Sequence, residues 1–194
     1  NFDIEEVGQP QPVTWGKCKL ATASFGHGIN TNLLQLTKGY AIISNGGYDV
    51  KPTLIKKETE VYKKTIITKA TSQKINSILR KIVVTGTAKL ANVDGYEIGG
   101  KTGTANKTIN GVYTNKKINT FASVFPISKP QFVFVVLIDE PQINNSYIYE
   151  YRDGSGFKLK GAPRNTAGWT SVEVAGKIIE KIGPILATKY IEIN

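Results

Sequence analysis

The sequence is poor in residues that bind metals or form disulfides. It contains one cysteine (Cys18), one histidine (His27) and no methionine. A single cysteine excludes an internal disulfide, and a single histidine with no second soft ligand nearby is a weak basis for a metal site. We therefore predict no metal and no cofactor, and we interpret His27 as a structural hydrogen-bonding residue.

Long apolar segments are also absent. The longest uninterrupted apolar run, over residues 132–138, has seven residues, whereas a helix needs roughly 20 to cross a bilayer. The chain begins at Asn1 without a signal-peptide pattern. We expect it to be a piece of a longer protein whose targeting segment lies outside it.

The charge is strongly positive. Twenty-five Lys and Arg against 15 Asp and Glu give a formal net charge of +10 over 194 residues, of which 40% are hydrophobic. This composition is typical of one globular domain with a real core. The basic residues are mostly scattered lysines, and no Arg-rich helix with interleaved aromatics is present. This pattern favours a solvated face over a nucleic-acid site, so no nucleic acid is expected, although a non-catalytic basic interaction module remains an alternative.

Apolar periodicity predicts three helices, which begin near residues 30, 72 and 171. Asn30 or Thr31 is predicted to cap the first and Thr71 or Ser72 the second, and Pro184 is expected to kink or end the last.

β-Rich runs over 118–125 and 131–138 predict two strands of a hairpin with its prolines in the turn. Residues 1–20 are interpreted as an irregular lead-in, 48–57 as an extended edge segment and 144–165 as a loop. The pattern predicts an α+β fold with a mainly antiparallel sheet and helices packed against it.

Two motifs compete for the same lysine. Residues 95–102 (GYEIGGKT) match the phosphate-binding loop of nucleotide hydrolases, and Asp139 ends an apolar strand as the magnesium-binding acid of such enzymes does. A phosphate-binding loop requires a helix that starts at the lysine. The residues after Lys101 are rich in Gly, Thr and Asn and form helices poorly, so an extended strand is favoured there. In that setting, residues 101–104 are interpreted as the K-T-G box of penicillin-recognising enzymes.

The surrounding residues make the second interpretation specific. The stretch over roughly 15–186 resembles class B penicillin-binding proteins, most of all the septal transpeptidase of cell division. The motifs that carry the resemblance are ASFGHGI at 23–29, NGG at 45–47, GTA at 86–88, GGKTGTA at 99–105 and DEP at 139–141.

The resemblance implies a D,D-transpeptidase with a serine β-lactamase-like fold. Such an enzyme attacks the D-Ala-D-Ala end of a peptidoglycan stem peptide through a Ser acyl-enzyme, and β-lactams imitate that substrate. It further implies that Lys101, Thr102 and Thr104 hold the substrate carboxylate, that Gly103 keeps the strand edge open, and that the Thr104 backbone N–H forms half of an oxyanion hole. Division proteins as partners, an inner-membrane anchor outside this chain and a periplasmic location follow from the same resemblance.

The family's other two boxes are missing where they are needed. No S-x-x-K or S-x-N string precedes Lys101, and the S-x-x-K string at 155–158 lies downstream in a Gly-rich segment. We therefore interpret residues 1–194 as the C-terminal portion of a transpeptidase domain, with both boxes upstream of the chain, and expect the chain alone to be inactive.

Overall fold

The computed structural model of the chain describes residues 16–24, 26, 29, 31–54, 64–110, 112–161 and 164–190. His27, the predicted cap residue Asn30 and residues 1–15 of the predicted lead-in lie outside them. The helices are α1 (Lys19–Ala23), α2 (Leu33–Ser44), α3 (Lys69–Val84) and α4 (Ser171–Tyr190), with short 3₁₀ turns at Lys89–Ala91 and Ala167–Trp169. The strands are β1 (Gly99–Ile109), β2 (Val112–Phe125), β3 (Phe132–Asp139), β4 (Ile148–Glu150) and β5 (Lys158–Lys160).

An antiparallel sheet in the order β1-β2-β3 forms the centre of the fold. β2 and β3 pair from Phe125 with Phe132 to Ile118 with Asp139. This pairing confirms the predicted hairpin, with Pro126 at its turn. Among the described residues β1 pairs only with β2, so its other edge is open.

Helices cover both faces of this sheet, which confirms the predicted α+β class. Phe121 and Phe125 of β2 pack into the larger core cluster together with Val172 and Ile179 of α4. Val124, on the opposite face, packs in a smaller cluster against α2 and α3. The alternation of side chains along β2 assigns one face to α4 and the other to α2 and α3.

The helix caps differ from the prediction. Asn32 caps α2, where its side chain accepts from the Gln35 N–H in a capping box, and Thr68 caps α3. Ser72, predicted as a cap, lies one turn inside α3 and accepts a tertiary hydrogen bond from the Gly46 N–H at 3.1 Å. Polar residues precede both helices in runs, so composition alone did not determine which of them occupies the cap.

The prediction that Pro184 ends or kinks the last helix is wrong as regards its end, because α4 continues to Tyr190. The apolar face of α4 continues past the proline, and Leu186 packs against the larger core cluster. Gly183 contacts Tyr96 so closely that a Cβ there would lie 2.3 Å from the ring. Packing on both sides of the proline therefore offsets the one backbone hydrogen bond that it cannot donate.

Two predicted irregular segments also need correction. The 144–165 loop contains a small antiparallel sheet of β4 and β5, in which Tyr149 is buried. In the extended segment 48–57, the described part forms no strand of the sheet, and Tyr48 makes an isolated bridge with Thr65. Residues 55–57 lie outside the described residues. At the lead-in, α1 already begins at Lys19.

Candidate functional site

Residues 101–104 lie in β1, at the open edge of the sheet. A phosphate-binding loop would place a helix N-terminus here, so that interpretation is wrong. Asp139, its supposed magnesium ligand, instead forms an ion pair with Lys107 at 3.0 Å. Within the described part of the chain, no group of His, Cys, Asp and Glu side chains is arranged to hold a metal.

The side chains of the box lie on two faces. Lys101 pairs with Ala122 and Thr102 pairs with Phe121 in the antiparallel register. Residues directly opposite one another share a face, so Lys101 and Gly103 lie on the α2 and α3 face, whereas Thr102 and Thr104 lie on the α4 face. The structure therefore brings the two threonines together and separates their side chains from that of Lys101.

The peptide groups of the two threonines point away from β2. The Glu140 N–H donates to the Lys117 carbonyl at 2.8 Å, which makes this a hydrogen-bonded pair between β2 and β3. Because such pairs alternate along antiparallel strands, the even-numbered residues 118–124 of β2 bond to β1 through the odd-numbered residues 99–105. Thr102 and Thr104 consequently direct their N–H and C=O groups to the open edge. A hydrogen bond at this edge supports that direction, because Lys101 Nζ donates to the Thr102 carbonyl at 2.6 Å.

Each threonine hydroxyl is connected to a distant segment. Thr102 Oγ1 lies 3.0 Å from Thr87 Oγ1, in the turn that follows α3. Thr104 Oγ1 accepts from the Ala167 N–H at 3.1 Å, at the 3₁₀ turn before α4. These contacts orient both side chains on the α4 face of the edge strand.

A polar network lies under this edge. Asn119, opposite Thr104 in the register, is fully buried and donates to the Asn165 carbonyl at 2.9 Å and to Thr170 Oγ1 at 2.7 Å. Because these bonds join β2 to the segment before α4, they hold the 3₁₀ turn against the strand.

A cavity of about 660 Å³ opens beside the threonines on the α4 face. Its lining is rich in threonine and contains two cations, Lys89 and Arg164, whereas none of the described residues that line it is acidic. The lining residues are Thr85, Gly86, Thr87, Lys89, Leu90, Thr102, Thr104, Tyr151, Arg164, Thr166, Gly168 and Trp169. Hydroxyls and cations at one site are suited to an anion.

The glycines of β1 have different roles. A Cβ at Gly100 would lie 2.7 Å from the Phe121 ring and 2.7 Å from the Ala122 carbonyl, so close packing in the sheet excludes a side chain there. A Cβ at Gly103 would meet nothing nearer than Thr120 at 3.9 Å. The fold itself leaves room for a methyl group at Gly103.

A buried ion pair supports the cavity wall. Arg152 makes two hydrogen bonds to Glu173 of α4, at 2.9 and 3.0 Å, and donates to the Leu90 carbonyl at 2.9 Å. The side chains of Arg152 and Glu173 are only 4% and 6% exposed. Burial alone would lower the pKa of Arg152, but hydrogen bonds and charge from Glu173 and Glu180 raise it, so the guanidinium stays charged.

A second charge cluster connects the sheet strands near the far end of β1. Lys107 contacts Asp139 at 3.0 Å and Glu140 at 2.9 Å, and Lys116 contacts Glu140 at 3.2 Å. The hydrogen bonds from Lys107 and then Lys116 lower the pKa of Glu140, and those from Glu140 and then Asp139 raise the pKa of Lys107.

The downstream S-x-x-K string is not arranged for catalysis. Ser155 lies in an exposed bend and donates to Asp153, while Lys158 begins β5 and pairs with Glu150 at 3.3 Å. Ser and Lys are therefore not one helical turn apart, as the sequence already indicated.

Thr87 belongs to the GTA motif, but its contact with Thr102 was not predicted from the sequence. Asn119, Arg164 and the cavity were not predicted either. The contact between Thr104 and Ala167 spans 63 residues, a distance over which periodicity and spacing carry no signal.

Comparisons with known proteins agree on one family. The family described as penicillin binding protein transpeptidase domain matches residues 1–155. The probable peptidoglycan D,D-transpeptidase FtsI of Caulobacter vibrioides is 31% identical over 96% of this chain and 32% of its own length. The chain spans between about a quarter and a third of the length of curated relatives such as this one, from 23% to 34%.

Solved structures show the same fold. The transpeptidase domain of Burkholderia pseudomallei penicillin-binding protein 3 superposes with a TM-score of 0.75 at 23% identity, covering 95% of this chain and 53% of that one. Mycobacterium tuberculosis penicillin-binding protein 3, solved in complex with aztreonam, gives a TM-score of 0.65 at 27% identity and covers 88% of this chain and 39% of that one.

Proposed function

We propose, because this chain belongs to the family of penicillin-binding protein transpeptidase domains, that it forms one wall of the active site of a peptidoglycan D,D-transpeptidase. The whole enzyme crosslinks stem peptides through a Ser acyl-enzyme, and the part of the protein upstream of this chain contributes the serine and its base. The observation that carries the proposal is the open edge of β1, toward which residues of the K-T-G box direct their peptide groups.

In this function the donor peptide lies along the open edge as an additional extended strand. The Thr104 N–H donates to the carbonyl oxygen of the donor peptide as that oxygen becomes an oxyanion. This hydrogen bond lowers the activation barrier by about 2.7–4 kcal/mol. The hydroxyls of Thr102 and Thr104 bind the terminal carboxylate of the D-Ala-D-Ala end, and Lys101 attracts the same carboxylate electrostatically from the strand edge. Gly103 leaves the space in which the donor backbone lies. The reaction so described uses no metal or cofactor.

β-Lactams bind at the same edge, since their carboxylate and strained acyl group reproduce the end of the donor peptide. The resemblance to FtsI supports a role in bacterial cell division with other division proteins as partners, and a periplasmic location on a membrane anchor outside this chain. None of the described helices has the length and apolar character needed to cross a membrane.

Covalent labelling by a fluorescent penicillin tests the proposal. The full-length protein is expected to be labelled, and this chain alone to remain unlabelled. An unlabelled full-length protein would contradict the transpeptidase assignment, and a labelled chain would show that its nucleophile lies within residues 1–194.

Replacing Lys101 tests the role of its charge. In the full-length protein, Lys101→Ala is expected to slow acylation by carboxylate-bearing β-lactams by about tenfold or more, since a charge-assisted contact to the carboxylate is lost. An acylation rate equal to that of the wild type would remove Lys101 from the proposed wall.

A further inference from the structure

We infer that Arg164 is a substrate-binding residue, which holds the terminal carboxylate of the donor peptide from the α4 face of β1. The inference rests on the proposed function and deepens it, because it assigns the positive charge on that face to a residue outside the K-T-G box.

The side chain of Lys101, the cation of the K-T-G box, does not lie on the same side of the sheet as the two threonines. Thr102 and Thr104 present their hydroxyls on the α4 face, where the cavity opens. The side chain of Lys101 leaves the strand on the opposite face, and its Nζ donates to the Thr102 carbonyl at the edge. A carboxylate bonded to both hydroxyls therefore lies in the cavity, and among the described residues the cations that line it are Lys89 and Arg164.

Arg164 is the better placed of these two cations. Within the part of the chain that the structure describes, its guanidinium has no hydrogen bond and no ion pair. Hydrogen bonds from Ser155 are the main cause of the lowered pKa of Asp153, and the positive charge of Lys89 lowers it further. Arg152, which donates to the carbonyl of the lining residue Leu90, is already paired with Glu173 and Glu180. Arg164 thus has its donors available for a ligand.

The chemistry of the cavity selects a carboxylate. Guanidinium donors form a planar fork that matches the two oxygens of a carboxylate, and the threonine hydroxyls add further donors beside it. Since no acidic side chain is among the described residues of the lining, nothing in it competes for this fork.

The position of Arg164 is held by the polar network under the strand. The adjacent Asn165 accepts from Asn119 through its carbonyl at 2.9 Å and from Lys117 through its side chain at 2.7 Å. The segment that carries the arginine is therefore attached to β2, where Arg164 lines the same cavity as the two threonines.

The test uses the full-length protein and a pair of ligands that differ in one charge. Acylation rates are measured with benzylpenicillin and with its methyl ester, which lacks the carboxylate. Arg164→Gln is expected to slow acylation by benzylpenicillin about tenfold and to change acylation by the ester less than twofold, while Arg164→Lys retains part of the rate. Lys129→Gln, which removes an exposed cation from the turn between β2 and β3, is the matched control and is expected to change neither rate.

The outcomes separate this inference from the function on which it rests. An Arg164→Gln protein that acylates with benzylpenicillin as fast as the wild type overturns the inference. Equal slowing with penicillin and ester also overturns it, because the residue then acts on the fold and not on the carboxylate. A wild-type protein that benzylpenicillin does not acylate at all refutes the proposed function, before any variant is compared.

Discussion

Replacing Gly103 by alanine should slow acylation without lowering the stability of the fold. The added Cβ would come no closer than 3.9 Å to any atom outside the neighbouring residues, and the glycine has no positive φ that would strain an alanine. Nothing in the sheet must shift. We therefore expect the free energy of unfolding of the full-length protein to change by less than about 0.5 kcal/mol, or to rise slightly, because alanine loses less backbone entropy on folding.

The same methyl group should interfere with the reaction. It projects from the edge strand on the α2 and α3 face, beside the edge along which the donor backbone is proposed to lie, so Gly103→Ala is expected to slow acylation by a fluorescent penicillin at least about tenfold. Denaturant unfolding and the acylation rate are measured on the same preparation.

Gly100→Ala is the matched control within the same strand. Its Cβ would lie 2.7 Å from the Phe121 ring, so overpacking is expected to cost about 1–3 kcal/mol of stability. If Gly103→Ala acylates at the wild-type rate, the substrate does not lie against this glycine. If Gly103→Ala unfolds as readily as Gly100→Ala, the space seen beside Gly103 is not available and the reasoning fails.

Two further predictions concern the ion pairs. Glu173→Ala removes the buried partner of Arg152 and leaves it only the exposed Glu180, so it is expected to lower the free energy of unfolding by about 3–5 kcal/mol. Glu150→Ala breaks the exposed pair with Lys158 and should cost less than about 1 kcal/mol, and similar losses for both variants would contradict the argument from burial. Because the folded-state pKa of Glu140 is held below its ordinary value of 4.5, its ion pairs stabilise the protein above that pH and are lost as the pH falls through the lowered pKa. Glu140→Gln should therefore lower Tm at pH 7 and leave it unchanged in strong acid, and a difference that persists in acid would refute the assignment.

The local pattern around Lys101 was sufficient to predict a strand in place of a phosphate-binding helix. Gly, Thr and Asn at high density make a poor helix, and this property depends only on neighbouring residues. The 118–125 and 131–138 runs were recognisable for a similar reason. Their β-branched and aromatic residues indicate strands, and the prolines between the two runs indicate a turn. The motifs at 86–88 and 99–105 indicated the family because their residues are contiguous.

Properties that depend on contacts between distant segments required the tertiary structure. The hydrogen bond of Ser72 to Gly46 and the continuation of α4 past Pro184 depend on such contacts, and packing can outweigh the few kcal/mol that a proline costs inside a helix.

The sequence by itself determined the strand character of residues 101–104 and the family of the chain, because both depend on residues that are neighbours in the sequence. Only the tertiary structure decided that Thr102 and Thr104 direct their peptide groups to an open edge. That direction depends on which residues of β2 are hydrogen-bonded to β3 and which to β1. It also decided that Arg164 shares a cavity with them, because folding alone brings residues some 60 positions apart along the chain to one site.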